Sequence, residues 1–304
     1  MGAVTSPTDA EAKAAYQAWL AEQRRAAKPR AKPRPWIVAA VLLWVVILGA
    51  AATWAILDRE PTARDQTTVT DAIPVLDRAA STIVAAVEAD RQSVAAISAL
   101  TRVADCSISV VRAGERYQRV VTVVVAPGTE EALLTRLAAG LPGEWDAVVR
   151  TGTAPRLSAD AGFFVAVNAT VAGPGTVRFV VDSGDCRAGG PVTTDAGLTP
   201  TADQRALLAS PLGLLGSGAG PMAVERWHVY RATCPDGREL VTVEAEGPAG
   251  AAPESLEIPF AALSSDPVVR SPDLVAYRVG GVGVTARTID GRVVVTATVP
   301  CPGR

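Results

Sequence analysis

Residues 36–57 read WIVAAVLLWVVILGAAATWAIL and contain no charged side chain. At about 1.5 Å of rise per residue, a helix of this length crosses the ~30 Å hydrocarbon core of a bilayer. Trp36 and Trp54 lie near its two ends, where indole rings favour the boundary between water and lipid. The alternative is a buried helix of a soluble protein, but such helices usually carry a polar face. The segment therefore predicts one transmembrane helix, with the lipid bilayer as a partner.

The charges that flank this segment predict its orientation. Residues 16–35 contain six Lys or Arg, whereas residues 58–77 contain only Arg59 and Arg64. Because positive charge is retained on the cytoplasmic side, we expect a cytoplasmic N-terminus and an extracytoplasmic remainder, in a plasma or inner membrane. A signal peptide has a shorter leader and a shorter apolar core. We therefore expect an uncleaved anchor, although a run of small residues within the segment leaves cleavage open as an alternative.

Charge also divides the chain. Residues 1–35 carry all three lysines and a net charge of +4, from seven basic and three acidic groups. Residues 58–304 carry 22 basic and 28 acidic groups, a net charge of −6. An acidic region does not attract phosphate backbones through its overall field, so we expect no nucleic-acid partner. The lack of lysine there also excludes Ser–Lys dyads, Schiff bases and a phosphate-binding lysine from this region.

All four cysteines follow the apolar segment: Cys106, Cys186, Cys234 and Cys301. An even number of cysteines on the oxidising side of a membrane predicts two disulfides. Three pairings satisfy that count, and we favour Cys106–Cys186 and Cys234–Cys301 because each would close one of two similar units. Four buried free thiols are the alternative. No C-x-x-C pair is present, which argues against a structural zinc site or a thioredoxin-like redox motif.

Changes in hydrophobic period predict an α+β protein. Apolar residues spaced by three and four predict one long helix over residues 71–104, interrupted by Asp90 on its apolar stripe. This helix packs against the chain's own sheet or, as the alternative, forms a homodimer. Thr201 and Gln204 have the spacing of a capping box for a short helix. The predicted segments are a basic leader (1–35), the membrane helix (36–57), a tether (58–70), a first α+β domain (71–186), a linker (187–225) and a second α+β domain (226–304).

Alternating apolar residues predict strands in both of these domains. In the first, strands are expected at 107–112, 118–125, 163–171 and 177–181, with a helix that begins after Thr129. In the second, strands are expected around Val229 and at 239–245, 282–289 and 292–299, with a helix-compatible stretch at 253–263. Residues 121–123 match residues 241–243 at an offset of 120, and residues 146–150 match residues 266–270 at the same offset except at the second position. The pattern predicts two similar β-β-α-β-β units with antiparallel sheets.

Few residues offer catalytic chemistry. His228 is the one histidine, so multi-histidine metal sites are excluded, and a surface position on a strand is expected for it. No G-x-S-x-G motif supplies a nucleophile for a Ser-His-Asp arrangement. Carboxylates that could act in pairs on glycosides are numerous: Glu115, Glu130, Glu131, Glu144, Asp146, Asp182, Asp185, Asp236, Glu244 and Asp266.

The sequence favours a non-enzymatic module over an enzyme. We expect an extracytoplasmic, disulfide-stapled binding or scaffold module that meets an unknown protein or ligand of the cell envelope. No catalytic residue, cofactor or metal site is predicted. One alternative is an envelope hydrolase that uses scattered carboxylates. The other is a signal transducer that acts through the N-terminal leader.

Overall fold

The computed structural model describes residues 9–26, 35–57, 68–184, 186–195, 197–216, 220–263 and 266–301. The chain divides into two compact units, Met1–Glu60 and Pro61–Arg304. Most of the predicted tether, residues 58–67, lies outside the described residues.

The described residues of the first unit form helices α1 (Asp9–Ala26) and α2 (Pro35–Leu57). Among the described residues, α2 supplies the one stretch, Pro35–Trp54, long and apolar enough to cross a membrane. None of that stretch is buried, and Trp36 and Trp54 are both exposed near its ends. A continuous apolar helix without a buried face has the composition of a membrane span.

The second unit begins with helix α3 (Val69–Glu88), and here the prediction of a helix over 71–104 was wrong. Thr68 and Asp71 form a capping box at its start, as each side chain bonds to the other's backbone N–H. The helix ends near Asp90, whose carboxylate accepts a hydrogen bond from the Gln92 N–H (3.1 Å) in the turn that follows. The next apolar residues pair with a strand, because tertiary hydrogen bonding overrides a helical period.

The first sheet has seven antiparallel strands around one long central strand, β3. One edge of β3 pairs with β7. The other edge pairs with β2 over residues 112–118 and with β1 over residues 121–125. The strands are β1 (Ser93–Ile97), β2 (Thr101–Ser109), β3 (Arg112–Val125), β4 (Val148–Arg150), β5 (Arg156–Asp160), β6 (Ala166–Gly173) and β7 (Thr176–Asp182).

Helix α4 (Glu130–Gly140) and a 3₁₀ turn (Gly143–Trp145) connect β3 to β4. Thr129 precedes α4 as predicted, but its hydroxyl makes no capping bond and donates to the Ala126 carbonyl instead (2.7 Å). The strand predicted from residue 163 begins only at Ala166, because Phe163 and Phe164 both have positive φ, 56° and 60°. A left-handed pair of residues closes a turn and cannot continue a strand.

The second sheet has six antiparallel strands in the order β10-β11-β12-β13-β9-β8. The hairpin across Asp290 and Gly291 is confirmed, as is the capping box of Thr201. The strands and the two short helices before them are α5 (Ala202–Ala206), α6 (Ala209–Leu214), β8 (Arg226–Thr233), β9 (Glu239–Glu246), β10 (Val269–Arg270), β11 (Leu274–Val279), β12 (Val282–Ile289) and β13 (Arg292–Val299).

Residues 253–263 form turns, so the helix predicted there is absent. Pro259 lacks the N–H that a helix interior requires. Leu256 and Phe260 nevertheless cover the face of the second sheet where a helix was expected. Both are fully buried against that sheet, in one cluster with Leu208 and Leu212. The turns therefore cover the sheet with side chains rather than with a regular element.

The α+β class with two antiparallel sheets is confirmed. The predicted β-β-α-β-β unit, however, has fewer strands than either sheet of the structure. Six strands of the first sheet follow the order β2-β3-β7-β6-β5-β4, and the second sheet follows β8-β9-β13-β12-β11-β10. The connectivity is the same in both. Helix α4 has no regular counterpart in the second sheet, however, and the duplication itself stays a prediction, as do the domain boundaries.

Candidate functional site

A cleft of about 990 Å³ runs alongside α3. Its walls come from α3, from the segment after α4, and from the end of the second sheet where β8 turns into β9. The size falls at the upper end of the range of ligand pockets in proteins. We take this cleft as the candidate functional site.

Small side chains form the helical wall of the cleft. Ala79, Thr82, Ala86 and Ala89 recur at intervals of three and four, so they share one face of α3. The adjacent face of the helix carries large apolar residues such as Leu76 and Ile83, which are buried on the first sheet. The amphipathic pattern thus fixes the helix on its sheet and leaves a smooth, shallow surface toward the cleft.

Trp145 supports the opposite wall. It ends the 3₁₀ turn after α4 and is almost completely buried. The next residue, Asp146, has φ of 46°, which directs the chain away from the turn. Leu141 and Pro142 line the cleft beside the indole. Leu141, Pro142 and Trp145 make this part of the wall apolar.

A disulfide fixes the third wall. The bridge Cys234–Cys301 joins the end of β8 to the residue after Pro300, with a Cα–Cα distance of 5.8 Å. The second bridge, Cys106–Cys186, joins β2 to the segment after β7. Both are the pairs that the sequence favoured, and each lies within the elements of one sheet. A covalent link between two chain segments at the rim restricts how far that rim can open.

Charged groups of both signs surround the apolar surface. Glu88 and Arg278 form a largely buried ion pair in the cleft, and Arg278 also donates to the Ser93 carbonyl (3.0 Å). Burial lowers the pKa of Arg278. The Oε1 atom of Glu88 is buried and has no hydrogen-bond partner among the described residues. Such an oxygen carries a desolvation cost that a ligand donor would remove.

The exposed charges at the rim are Arg78, Glu144 and Asp236. Asp236 is held by the side chain and the backbone N–H of Arg238, and these hydrogen bonds lower the pKa of Asp236. Arg78 and Glu144 form no ion pair within the described part of the chain. Each can therefore meet a charge supplied by a ligand.

A buried polar network attaches α3 to the first sheet. The Arg119 guanidinium contacts Asp77 of α3 (3.0 Å) and Asp195 (2.9 Å), and it donates to the Ser98 carbonyl (2.7 Å). Burial outweighs the nearby guanidinium and raises the pKa of Asp77. None of the four residues lines the cleft. Their role is to hold the helical wall in position.

His228, Glu244 and Glu246 form a second cluster, on the second sheet. Their ligand atoms all lie within 4.8 Å of one another, so the three side chains could hold a metal ion. The sequence predicted His228 as a surface residue without a chemical role. Its side chain is 39% exposed. The cross-strand register that joins His228 to the two glutamates is not visible in a sequence read strand by strand.

The structure separates most of the predicted carboxylates. Only Glu144 and Asp236 of that set share the cleft, and Glu244 joins the His228 cluster. Asp185 lies outside the described residues. Two others are held in ion pairs, Glu115 with Arg102 (2.9 Å) and Asp182 with Arg116 (3.3 Å). Glu88 was not among the carboxylates predicted from the sequence. It belongs to no sequence motif that would indicate a functional role, and it lies at the end of α3.

No protein-family model matches the chain, and no curated protein matches it. Among solved structures, the chain is similar to a DUF4853 family protein from Actinomyces odontolyticus ATCC 17982. The identity is 12%, the match covers 59% of this chain and 93% of that one, and the TM-score is 0.31. A score this low carries no argument about fold or function.

Proposed function

We propose that this protein is a membrane-anchored, extracytoplasmic binding protein that holds an envelope ligand in the cleft beside α3. The cleft carries the proposal, because it combines an apolar surface, a fixed rim and free charges of both signs. Sites for ligands are typically concave and apolar, with a few placed polar groups that set orientation.

Two observations support the location. Helix α2 has the length and composition of a membrane span, and all four cysteines form disulfides. Disulfides persist in oxidising compartments and are rare in the cytosol. Together with the basic leader, they favour an anchor in the plasma or inner membrane with the N-terminus inside. Trp36 and Trp54 then lie at the two membrane interfaces.

The rim favours a peptide segment as the ligand. Arg78 offers a cation and Glu144 an anion, so a chain with charges of both signs finds a partner for each. The small side chains of α3 let a backbone approach closely, and the partly exposed Val75, Ala86 and Pro142 supply apolar contact for its side chains. The bound segment would therefore lie along the helix.

Site-specific photocrosslinking tests the proposal. A benzoylphenylalanine placed at Thr82, in the cleft, is expected to capture an envelope partner in living cells. The same residue placed at Thr135, an exposed threonine on α4 outside the cleft, is the matched control. Adducts at 82 that are missing at 135, and that disappear with Ala86→Trp, support the cleft. Equal yields at the two positions, at equal protein levels, contradict it.

A hydrolase is the second candidate, and one observation favours it. Glu88, Glu144 and Asp236 line the same cleft, and one oxygen of Glu88 is buried without a partner. Carboxylates that flank a bound substrate perform acid–base chemistry in glycosidases. Turnover of envelope material that is abolished by Glu144→Gln, with binding retained, would assign the cleft to an enzyme.

A further inference from the structure

We propose that His228, Glu244 and Glu246 bind a divalent transition-metal ion such as Zn²⁺, at a site separate from the cleft. The three residues come from two adjacent antiparallel strands, β8 and β9. Imidazole nitrogen and carboxylate oxygen are both ordinary zinc ligands, and three protein ligands with one open position are typical of zinc sites that bind a further group.

The strand register brings the ligands to one face. His228 pairs directly with Glu244, and Arg226 pairs with Glu246, which lies two residues further along β9. Residues two apart in a strand point to the same side of the sheet. The imidazole of His228 therefore lies opposite one glutamate and diagonal to the other. Strands hold such an arrangement more firmly than loops do.

The distances are close to those of a formed site. The Nε2 atom of His228 is 3.7 Å from the Oε1 atom of Glu246, and all three ligand atoms lie within 4.8 Å of one another. Ligands about 2.1 Å from a tetrahedral zinc ion are separated by about 3.4 Å. Small side-chain rotations are thus sufficient to close the site, with no change in the backbone.

Tyr230, two residues after His228 on β8, orients one of the proposed ligands. Its hydroxyl donates to the Oε1 atom of Glu244 (2.8 Å), and its ring stacks parallel to the imidazole of His228 at 6.1 Å. Hydrogen bonds of this kind to metal ligands fix their orientation and raise affinity.

An open side is available for a fourth ligand. A second cleft, of about 390 Å³, lies between the two sheets and is lined by Tyr230, Glu244, Thr285 and Thr296. A water molecule or a small anion on the metal would enter from this cleft. The opposite flank carries Arg226, 3.6 Å from Glu246, which offsets the negative charge of the pair when the site is empty.

The composition of the chain makes the proposal easy to test. His228 is the single histidine in 304 residues, and all four cysteines are in disulfides. Zinc sites rely on imidazole or thiolate ligands in most proteins. Any zinc site that includes an imidazole must therefore use His228, provided that the protein is purified with an affinity tag that contains no histidine.

The experiment is a zinc titration of the full chain in detergent, followed by calorimetry and by the ¹⁵N signals of the single imidazole. One Zn²⁺ per chain is expected, with a shift of the His228 signals at the same stoichiometry. His228→Asn and Glu246→Gln should abolish this binding, and Tyr230→Phe should weaken it about tenfold. Glu239→Gln is the matched control, because Glu239 lies on β9 but on the opposite face.

Three outcomes would overturn the proposal. The first is no zinc binding up to millimolar concentration, which would leave the cluster as an ion pair of Arg226 with Glu246 and a hydrogen bond of Tyr230 to Glu244. The second is unchanged affinity in His228→Asn, and the third is an equal loss in Glu239→Gln. Circular dichroism of each variant distinguishes lost binding from lost folding, and the Tyr230→Phe result remains informative if one ligand variant fails to fold.

Discussion

Replacing Arg119 with methionine is expected to destabilise the protein by about 3–5 kcal/mol, the usual cost of removing one partner from a buried ion pair. Arg119 is only 2% exposed and is the sole cation that contacts Asp77 and Asp195 within the described residues. Methionine fills a similar volume but removes the cation from both carboxylates. In the described part of the chain, Asp195 then keeps only the backbone N–H groups of Leu100 (3.2 Å) and Arg231 (3.3 Å). The Ser98 carbonyl loses a donor as well.

The magnitude follows from the contacts that are lost. Hydrogen bonds to charged groups contribute about 1.5–3 kcal/mol each, and Arg119 makes three. These values do not add fully, because protonation of Asp77 relieves part of the penalty. For a unit of this size, a loss of 3–5 kcal/mol corresponds to a fall in melting temperature of about 6–20 °C.

Thermal unfolding of the full chain in detergent, followed by circular dichroism, measures this effect. The matched control is Arg116→Met on the same strand, because Arg116 is 44% exposed and its ion pair with Asp182 is only partly buried. That change should cost less than about 1 kcal/mol. Adding Asp77→Asn to Arg119→Met should restore part of the stability. Equal melting temperatures for the two arginine variants would refute the reasoning.

Three further changes have defined outcomes. Asp77→Asn should make the melting temperature depend less on pH. Because the pKa of Asp77 is raised in the folded protein, this carboxyl stabilises the fold fully below about pH 3.9, and that contribution is lost as the pH rises through the folded-state pKa. Cys234→Ser with Cys301→Ser opens a loop with a sequence separation of 67 and should cost about 4 kcal/mol in chemical denaturation. Gly184→Ala should lower the melting temperature, since Gly184 has φ of 80° and a Cβ there would lie 2.1 Å from the Phe164 carbonyl oxygen.

Local signals predicted much of the fold. Asp290 and Gly291 form the turn that their sequence indicates, and Thr201 caps a helix through Gln204. These features depend on residues close together in the chain, so a sequence contains what is needed to find them. The helix over 71–104 failed for the opposite reason: residues 93–97 satisfy a helical period, but their hydrogen bonds go to Val121–Val125, far along the chain.

The candidate sites depend on contacts between residues far apart in the chain more than the individual helices and turns do. The cleft requires α3, Trp145 and Cys301 to meet, and no local pattern indicates that they do. The metal cluster requires the register of β8 and β9, which places His228 beside Glu244. A one-residue slip would put the imidazole on the other face. Sequence reasoning therefore identified the residue types that were available, but not which of them share a site.

The proposed function depends most on the location of the region after α2, and a pair of reporter fusions placed after Arg304 measures it. One reporter is an alkaline phosphatase that is active only outside the cytoplasm, and the other is a fluorescent protein that matures only within it. We expect phosphatase activity and no fluorescence from full-length fusions in the membrane fraction. Fluorescence without phosphatase activity would place both sheets and both disulfides in the cytoplasm, and it would contradict the anchored envelope protein proposed above.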